Sequence, residues 1–168
     1  MAYDPLDPHA DAQEWVRTRC GHLLLVGDIN WNRASYPTHR YNCMGLAMQN
    51  ACGGFLGWWQ PPKTIGKIKL YRPYWPKSVR QDTTIDAYVD AAATVGFKVT
   101  ASPAWEDGAE KVTLYHYGKD FKHATRWLSP TERASKIGEY SDIVHGPDAL
   151  DLVINWGDGR VHLTRHFS

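Results

Sequence analysis

Residues 110–128 constrain the fold more than any other stretch of the chain. From 110 to 117 apolar and polar side chains alternate, with Val112 and Leu114 on one side and Thr113 and Tyr115 on the other, as in a half-covered strand. Gly118-Lys119-Asp120 then forms a turn, and residues 121–128 return as its hairpin partner with His123, Thr125 and Trp127 sharing a face. This hairpin commits the C-terminal half to an antiparallel sheet. Residues 134–138 add a third strand, and residues 160–167 a last alternating one.

The first half reads as helical. Asp7-Pro8 supplies an N-cap and a proline at the first helical position, and the pattern through Glu14, Trp15, Val16 and Arg19 continues that helix. Asn42 caps an apolar helix that opens at Cys43 and runs to Cys52, where Gly53-Gly54 stops it. Asp82-Thr83-Thr84 caps a third, with Ile85, Tyr88, Val89, Ala92 and Val95 at helical spacing. Residues 23–26 are apolar but too few to assign, residues 148–153 are ambiguous, and the proline-interrupted basic and aromatic segment 63–77 reads as an extended loop. Helices first and a sheet afterwards give an α+β architecture with the Cys43 helix at its centre. Residues 1–168 are expected to form one domain, because 43% hydrophobic residues with eight Trp and nine Tyr can build a sizeable core.

Composition excludes several function classes. Lysine plus arginine total 19 against 18 acids, so no net field points to nucleic acid or an anionic membrane. No apolar run approaches the roughly 18 residues that span a bilayer. The segment Met1-Ala2-Tyr3-Asp4-Pro5 lacks the basic and apolar regions of a signal peptide, which leads to the expectation of a cytoplasmic protein or one exported without such a signal. Cys20, Cys43 and Cys52 cannot all pair with one another and read as reduced thiols. No metal is expected, since no C-x-x-C or H-E-x-x-H spacing occurs and His162 and His166 on a strand would stand about 13 Å apart. No cofactor is expected either, because Gly157-Asp158-Gly159 is a turn without a surrounding phosphate-binding pattern.

Cys43 carries the clearest chemistry. At the opening of a helix, orphan backbone N–H groups and the dipole favour thiolate over thiol. Such a nucleophile needs a base, a group that orients the base and donors for the developing oxyanion. His123, at the start of a predicted hairpin strand, is the best-placed base, and Ser135 or Asp142 on the following segments could orient it. The Cys43 backbone N–H is the first oxyanion donor and Asn42 a second candidate. Tyr41, Asn42, Trp58, Trp59 and Trp75, with Tyr74, are the candidate substrate-binding residues.

The order of helix-opening Cys43, strand His123 and a polar residue on the next strand resembles the papain-like cysteine hydrolase superfamily, and above all its small NlpC-type and related bacterial amidases. Tyr41-Asn42-Cys43-Met44-Gly45-Leu46-Ala47, His123-Ala124-Thr125-Arg126 and Ala134-Ser135-Lys136-Ile137-Gly138 also resemble a group of uncharacterised bacterial proteins over most of the chain. The resemblance implies a papain-like fold, with N-terminal helices and a central Cys-bearing helix packed on an antiparallel sheet. It implies that Cys43 attacks an amide or related acyl bond, with His123 as general base and then acid and a thioester as intermediate. The glutamine that precedes the cysteine in papain itself is not identifiable here. The implied substrates are a peptide, peptidoglycan or a protein side chain, and a toxin role would bring an immunity protein as partner. The rival expectation is a non-catalytic protein- or glycan-binding module on the same fold.

Overall fold

In the computed structural model, residues 7, 9–19, 29–30, 33–54, 57–62, 73–147, 149, 157 and 159–167 are described. The expectations for Cys20, for residues 23–26, for residues 63–72 and for most of 148–153 lie outside them. In chain order the elements are α1 (Ala10–Arg19), β1 (Ile29–Asn30), α2 (Cys43–Ala47), β2 (Trp58–Trp59), β3 (Pro73–Tyr74), α3 (Ile85–Ala93), β4 (Lys98–Thr100), β5 (Ala109–Tyr117), β6 (Asp120–Trp127), β7 (Arg133–Lys136), β8 (Asp142–His145) and β9 (Gly159–His166). No described helix is long and apolar enough to cross a membrane.

The alternating hairpin forms as β5 and β6, turning at Gly118, whose φ of 54° lies in the left-handed region that favours glycine. Around it grows a seven-stranded antiparallel sheet in the order β1-β8-β7-β6-β5-β9-β4. The last strand is internal: β9 inserts between β5 and the edge strand β4 and pairs with β5 from Ala109 to His116. β2 and β3 form a separate parallel pair.

The expected papain-like arrangement is not adopted. The molecule is mostly antiparallel sheet, and the three described helices hold only 10, 5 and 9 residues. The helix read as a long central element is regular only over Cys43–Ala47 and then breaks into turns that close at Gly53 and Gly54, both with positive φ. Gly45 explains its close seating, because a Cβ there would lie 2.0 Å from the Gly57 carbonyl oxygen. Two further strands, β1 and β8, come from segments whose two and four residues are too short to show a period.

Register divides the sheet residues between two faces, since directly paired residues share a side and neighbours along a strand alternate. Val112, Leu114, Ala124 and Leu163 pack against Met44, Met48, Tyr88 and Ala91 of the α2 and α3 region. Tyr115, Ile137 and Ile143 pack on the opposite face with Val16 of α1 and Ile29. α1 is regular from Ala10, later than the Asp7-Pro8 opening expected, and the Asp7 carboxylate accepts from the His9 N–H ahead of it at 2.8 Å, Pro8 lying outside the described residues. The two faces carry different chemistry.

Candidate functional site

Asn42 organises the helix start. Its side-chain oxygen accepts from the Gly45 N–H at 3.0 Å and from the Trp59 N–H at 3.2 Å, while its amide donates to the Trp59 carbonyl at 2.8 Å. It is a cap that ties α2 to β2, which uses its amide structurally rather than on a substrate. Cys43 follows, partly exposed as a residue, on the face of Leu114 and Ala124. Burial of its sulfur pushes the thiol up to about 11, against backbone N–H groups of Ala124 and Met44 and the charge of Lys136, which pull it down. The helix-start amides act in the anticipated direction, and desolvation outweighs them.

Lys136 is the neighbour that sequence reasoning missed. It is wholly buried on β7, it donates to the Tyr140 carbonyl, and its ammonium lies 5.4 Å from the centre of the Tyr41 ring. Burial lowers its pKa to about 8, opposed by the Asp142 carboxylate and by Cys43. Asp142 is its direct register partner across β7 and β8. The Asp142 carboxyl is raised by burial and held down in part by the Tyr41 hydroxyl, which donates to Oδ2 at 2.6 Å, and by Lys136. Its other oxygen, Oδ1, is buried with no hydrogen-bond partner among the described residues. Ser35 fixes the strand from outside, its hydroxyl accepting from the Asp142 N–H and its own N–H donating to the Asp142 carbonyl. Cys43, Lys136, Asp142 and Tyr41 thus form one cluster under α2. The signal was the alternation of β7: Ser135 and Lys136 must point to opposite sides, and Lys136 takes the side of the helix.

His123 is not in that cluster. Its register partner is Tyr115, their rings 5.9 Å apart, so its side chain lies on the opposite face, and the following residue, Ala124, is the one that meets Cys43. Burial, then His145, keeps its pKa well below 6.5. The expected Cys43–His123 dyad is therefore not assembled. Nor does either proposed orienter serve His123. Asp142 belongs to the Lys136 cluster, and the Ser135 hydroxyl lies 2.9 Å from His145 Nε2. His145 Nδ1 is 2.7 Å from the Gly146 carbonyl, which can only accept, so Nδ1 carries the proton and Nε2 accepts from Ser135. Burial lowers His145 to about 4, so this pair is neutral near pH 7.

The tryptophans expected to line a substrate pocket are occupied by packing. Trp59 is wholly buried against the Tyr74 ring, 4.7 Å away, and Trp75 donates to the Arg80 carbonyl and meets Tyr88 edge-on. Trp58 is half-buried and donates to Gln60. Among the described residues no group of three or more His, Cys, Asp or Glu side chains could hold a metal ion.

Residues 33–163 match the model of a domain of unknown function, DUF7689. The chain belongs to the DUF7689 family. The matched region contains Tyr41, Cys43, Lys136 and Asp142 as well as His123, Ser135 and His145, so both faces of the sheet lie within the DUF7689 domain. No curated protein and no solved structure matches the chain.

Proposed function

We propose that this DUF7689 protein is a cysteine-dependent acyl hydrolase or acyltransferase in which Cys43 is the nucleophile and Lys136, rather than His123, takes its proton. The observation that carries the reading is the wholly buried Lys136, lowered to about 8 and in electrostatic contact with the thiol of Cys43. A lysine beside a nucleophile of high pKa works as in the Ser–Lys variants of the catalytic triad, by accepting the proton during attack. Neutral Lys136 receives the thiol proton as sulfur bonds to the acyl carbon and the carbonyl electron pair moves onto oxygen. Collapse re-forms the carbonyl and expels an amine or alkoxide, which takes the proton from the Lys136 ammonium. Water then repeats the sequence on the thioester and releases the acid. Asp142 and Tyr41 are positioning residues, because the carboxylate faces Lys136 and the phenol holds the carboxylate.

The pH dependence follows from these groups. Lys136 acts as acceptor only when neutral, roughly a tenth of molecules at pH 7 and half at pH 8. The thiol alone ionises only near pH 11. Reactivity between pH 8 and 10 thus reports on Lys136. The test is alkylation by iodoacetamide, and acylation by p-nitrophenyl acetate, from pH 7 to 10 with mass-spectrometric localisation. Cys43 modification should rise through pH 8, fall about 100-fold in Lys136→Met, and stay within twofold in His123→Ala. Lys136→Arg, checked for native circular dichroism, should lose reactivity equally, because a guanidinium does not deprotonate. A Cys43 that stays inert throughout, or that depends on His123 and not on Lys136, would overturn the proposal.

A further inference from the structure

Lys136 and Cys43 meet on two adjacent strands. The β6–β7 ladder runs from Trp127 and Arg133 to Thr125 and Ser135, so the next step of the register sets Ala124 beside Lys136, on strands about 5 Å apart. Both side chains face α2. Ala124 is the residue whose backbone N–H reaches the Cys43 sulfur, while Tyr41 and Leu46, on either side of Cys43, pack on Ala134 two residues before Lys136. The start of α2 therefore lies across the strands that carry the lysine. Lys136 is wholly buried there and donates to the Tyr140 carbonyl. Tyr140 belongs to a tight turn, its N–H donating to the Ile137 carbonyl at 2.8 Å and the Ile137 N–H to the Ser141 carbonyl at 3.2 Å. This bond uses one of the three ammonium N–H groups and fixes the nitrogen on the thiol's side of the sheet.

An enclosed amine beside a thiol has a second chemistry besides proton transfer. Hydrogen peroxide converts a thiol to a sulfenic acid, which a nitrogen nucleophile can condense to a sulfenamide. Neutral Lys136 takes the Cys43 proton as the sulfur attacks one peroxide oxygen. The O–O bond breaks, and the departing hydroxide takes the proton from the ammonium and leaves as water. The Lys136 nitrogen then attacks the sulfur. An N–S bond forms, the S–O bond breaks, and hydroxide leaves with a nitrogen proton as a second water. Sulfur loses two electrons and the peroxide gains them, so one peroxide completes the cross-link. The product is uncharged, which removes a buried cation that desolvation disfavours. The Asp142 carboxyl opposite Lys136, itself raised by burial, can follow by taking up a proton.

We infer that Cys43 and Lys136 are the two ends of a peroxide-driven sulfenamide cross-link, which closes the site and which thiols reopen. The inference rests on the Cys43–Lys136 pairing of the acyl-transfer reading and adds a regulation of that site. The full chain is treated with a few equivalents of hydrogen peroxide at pH 8, blocked with iodoacetamide, digested without reductant and analysed by mass spectrometry. A peptide pair joining Cys43 to Lys136 should form, about 2 Da lighter than its two parts together, and should disappear with dithiothreitol. Iodoacetamide labelling of Cys43 should fall at least tenfold after peroxide and return on reduction. Lys136→Arg, checked for native circular dichroism, should form no pair, because a guanidinium does not deprotonate, whereas Cys52→Ser should form it at the parent's yield. A sulfinic acid at Cys43 without the pair, a Cys43–Cys52 disulfide in its place, an untouched Cys43 or a pair that survives dithiothreitol would overturn the inference. Acylation of the untreated chain by p-nitrophenyl acetate separates the two readings. A chain acylated at Cys43 yet never cross-linked sinks the regulation alone, and one cross-linked yet never acylated sinks only the acyl transfer.

Discussion

The two faces of the sheet bury polar groups in opposite ways. Beneath α2, one lysine, one carboxyl and one thiol are enclosed with a tyrosine, and each is shifted toward its neutral form by burial. On the far face, His123 and His145 are buried as neutral imidazoles, while Arg133 and Arg160, whose charge cannot be lost, lie over the Trp127 and Tyr115 rings. Groups that can shed charge are shifted toward doing so, and those that cannot are laid over the electron-rich faces of rings. The helix side therefore responds to alkali and the far side to acid.

The largest expected effect is acid destabilisation through the far face. The unfolded chain protonates histidine near 6.5, whereas folded His145 resists until about 4 and His123 also stays well below 6.5. The contribution is fully present above 6.5 and is lost as pH falls toward 4. For His145 the loss is on the order of 3 kcal/mol, at about 1.4 kcal/mol per pH unit and proton. Urea denaturation between pH 7 and 4 should show this slope, and His145→Asn with His123→Gln should flatten it by about two protons. An unchanged slope in the double variant would erase the distinction between the faces.

Alkali sharpens the same comparison from the helix side. Lys136 has an ordinary value of 10.5 and a folded value of about 8, so between these the unfolded chain holds a proton that the fold lacks, and stability rises with pH. Cys43 works oppositely. Its ordinary value of 9.0 is raised to about 11, so above 9 the fold keeps a proton that the unfolded chain loses. In the parent the two slopes nearly cancel from pH 9 to 10.5. In Lys136→Met a falling slope of about 1.4 kcal/mol per pH unit should emerge from Cys43, and Lys136→Met with Cys43→Ala should remove that share and leave only the part due to Cys52, Tyr41 and Tyr88, which burial also raises. His123→Ala should leave this window unaltered.

A third effect is steric. Gly45→Ala places a Cβ against the Gly57 carbonyl, a backbone group that cannot swing aside as the end of a flexible side chain would, with the Tyr41 Cβ also close. A loss of about 1–3 kcal/mol is expected in chemical denaturation. It should weaken Cys43 reactivity by displacing α2 and leave the acid slope set by His145 on the far face unchanged.

The sequence carried these faces unevenly. The hairpin was legible because nine-residue β5 and eight-residue β6 are long enough to show their period. The same alternation, applied strictly, separates His123 from Ala124 and Ser135 from Lys136. Pairing Cys43 with His123 follows chain order, but facing depends on which side of the sheet α2 packs, and that is set by tertiary contacts of Leu114, Ala124 and Met44. Lys136 gave no motif because a lysine on a strand ordinarily reads as solvated. Its half-buried register partner, Asp142, sits on a four-residue strand that shows no period of its own. A cavity of about 440 Å³ on the far face was equally hidden, since its walls come from β5, β6, β7, β9 and the loop before β5.

The smallest expected effect concerns Asn42, where capping and chemistry separate most cleanly. If its amide serves only to join the helix start to β2, Asn42→Asp retains the oxygen that accepts from Gly45 and Trp59 but loses the donor to the Trp59 carbonyl. Asn42→Ala loses all three bonds and should destabilise by about 1 kcal/mol. The aspartate should keep much of that capping energy, yet its charge next to Cys43 should raise the thiol further and slow alkylation more than alanine does. Stability and reactivity are then expected to rank the two variants in opposite orders. Identical ranking by urea midpoint and by alkylation rate would mean that Cys43 reactivity merely follows the integrity of α2, and that the cluster beneath it does not tune the thiol.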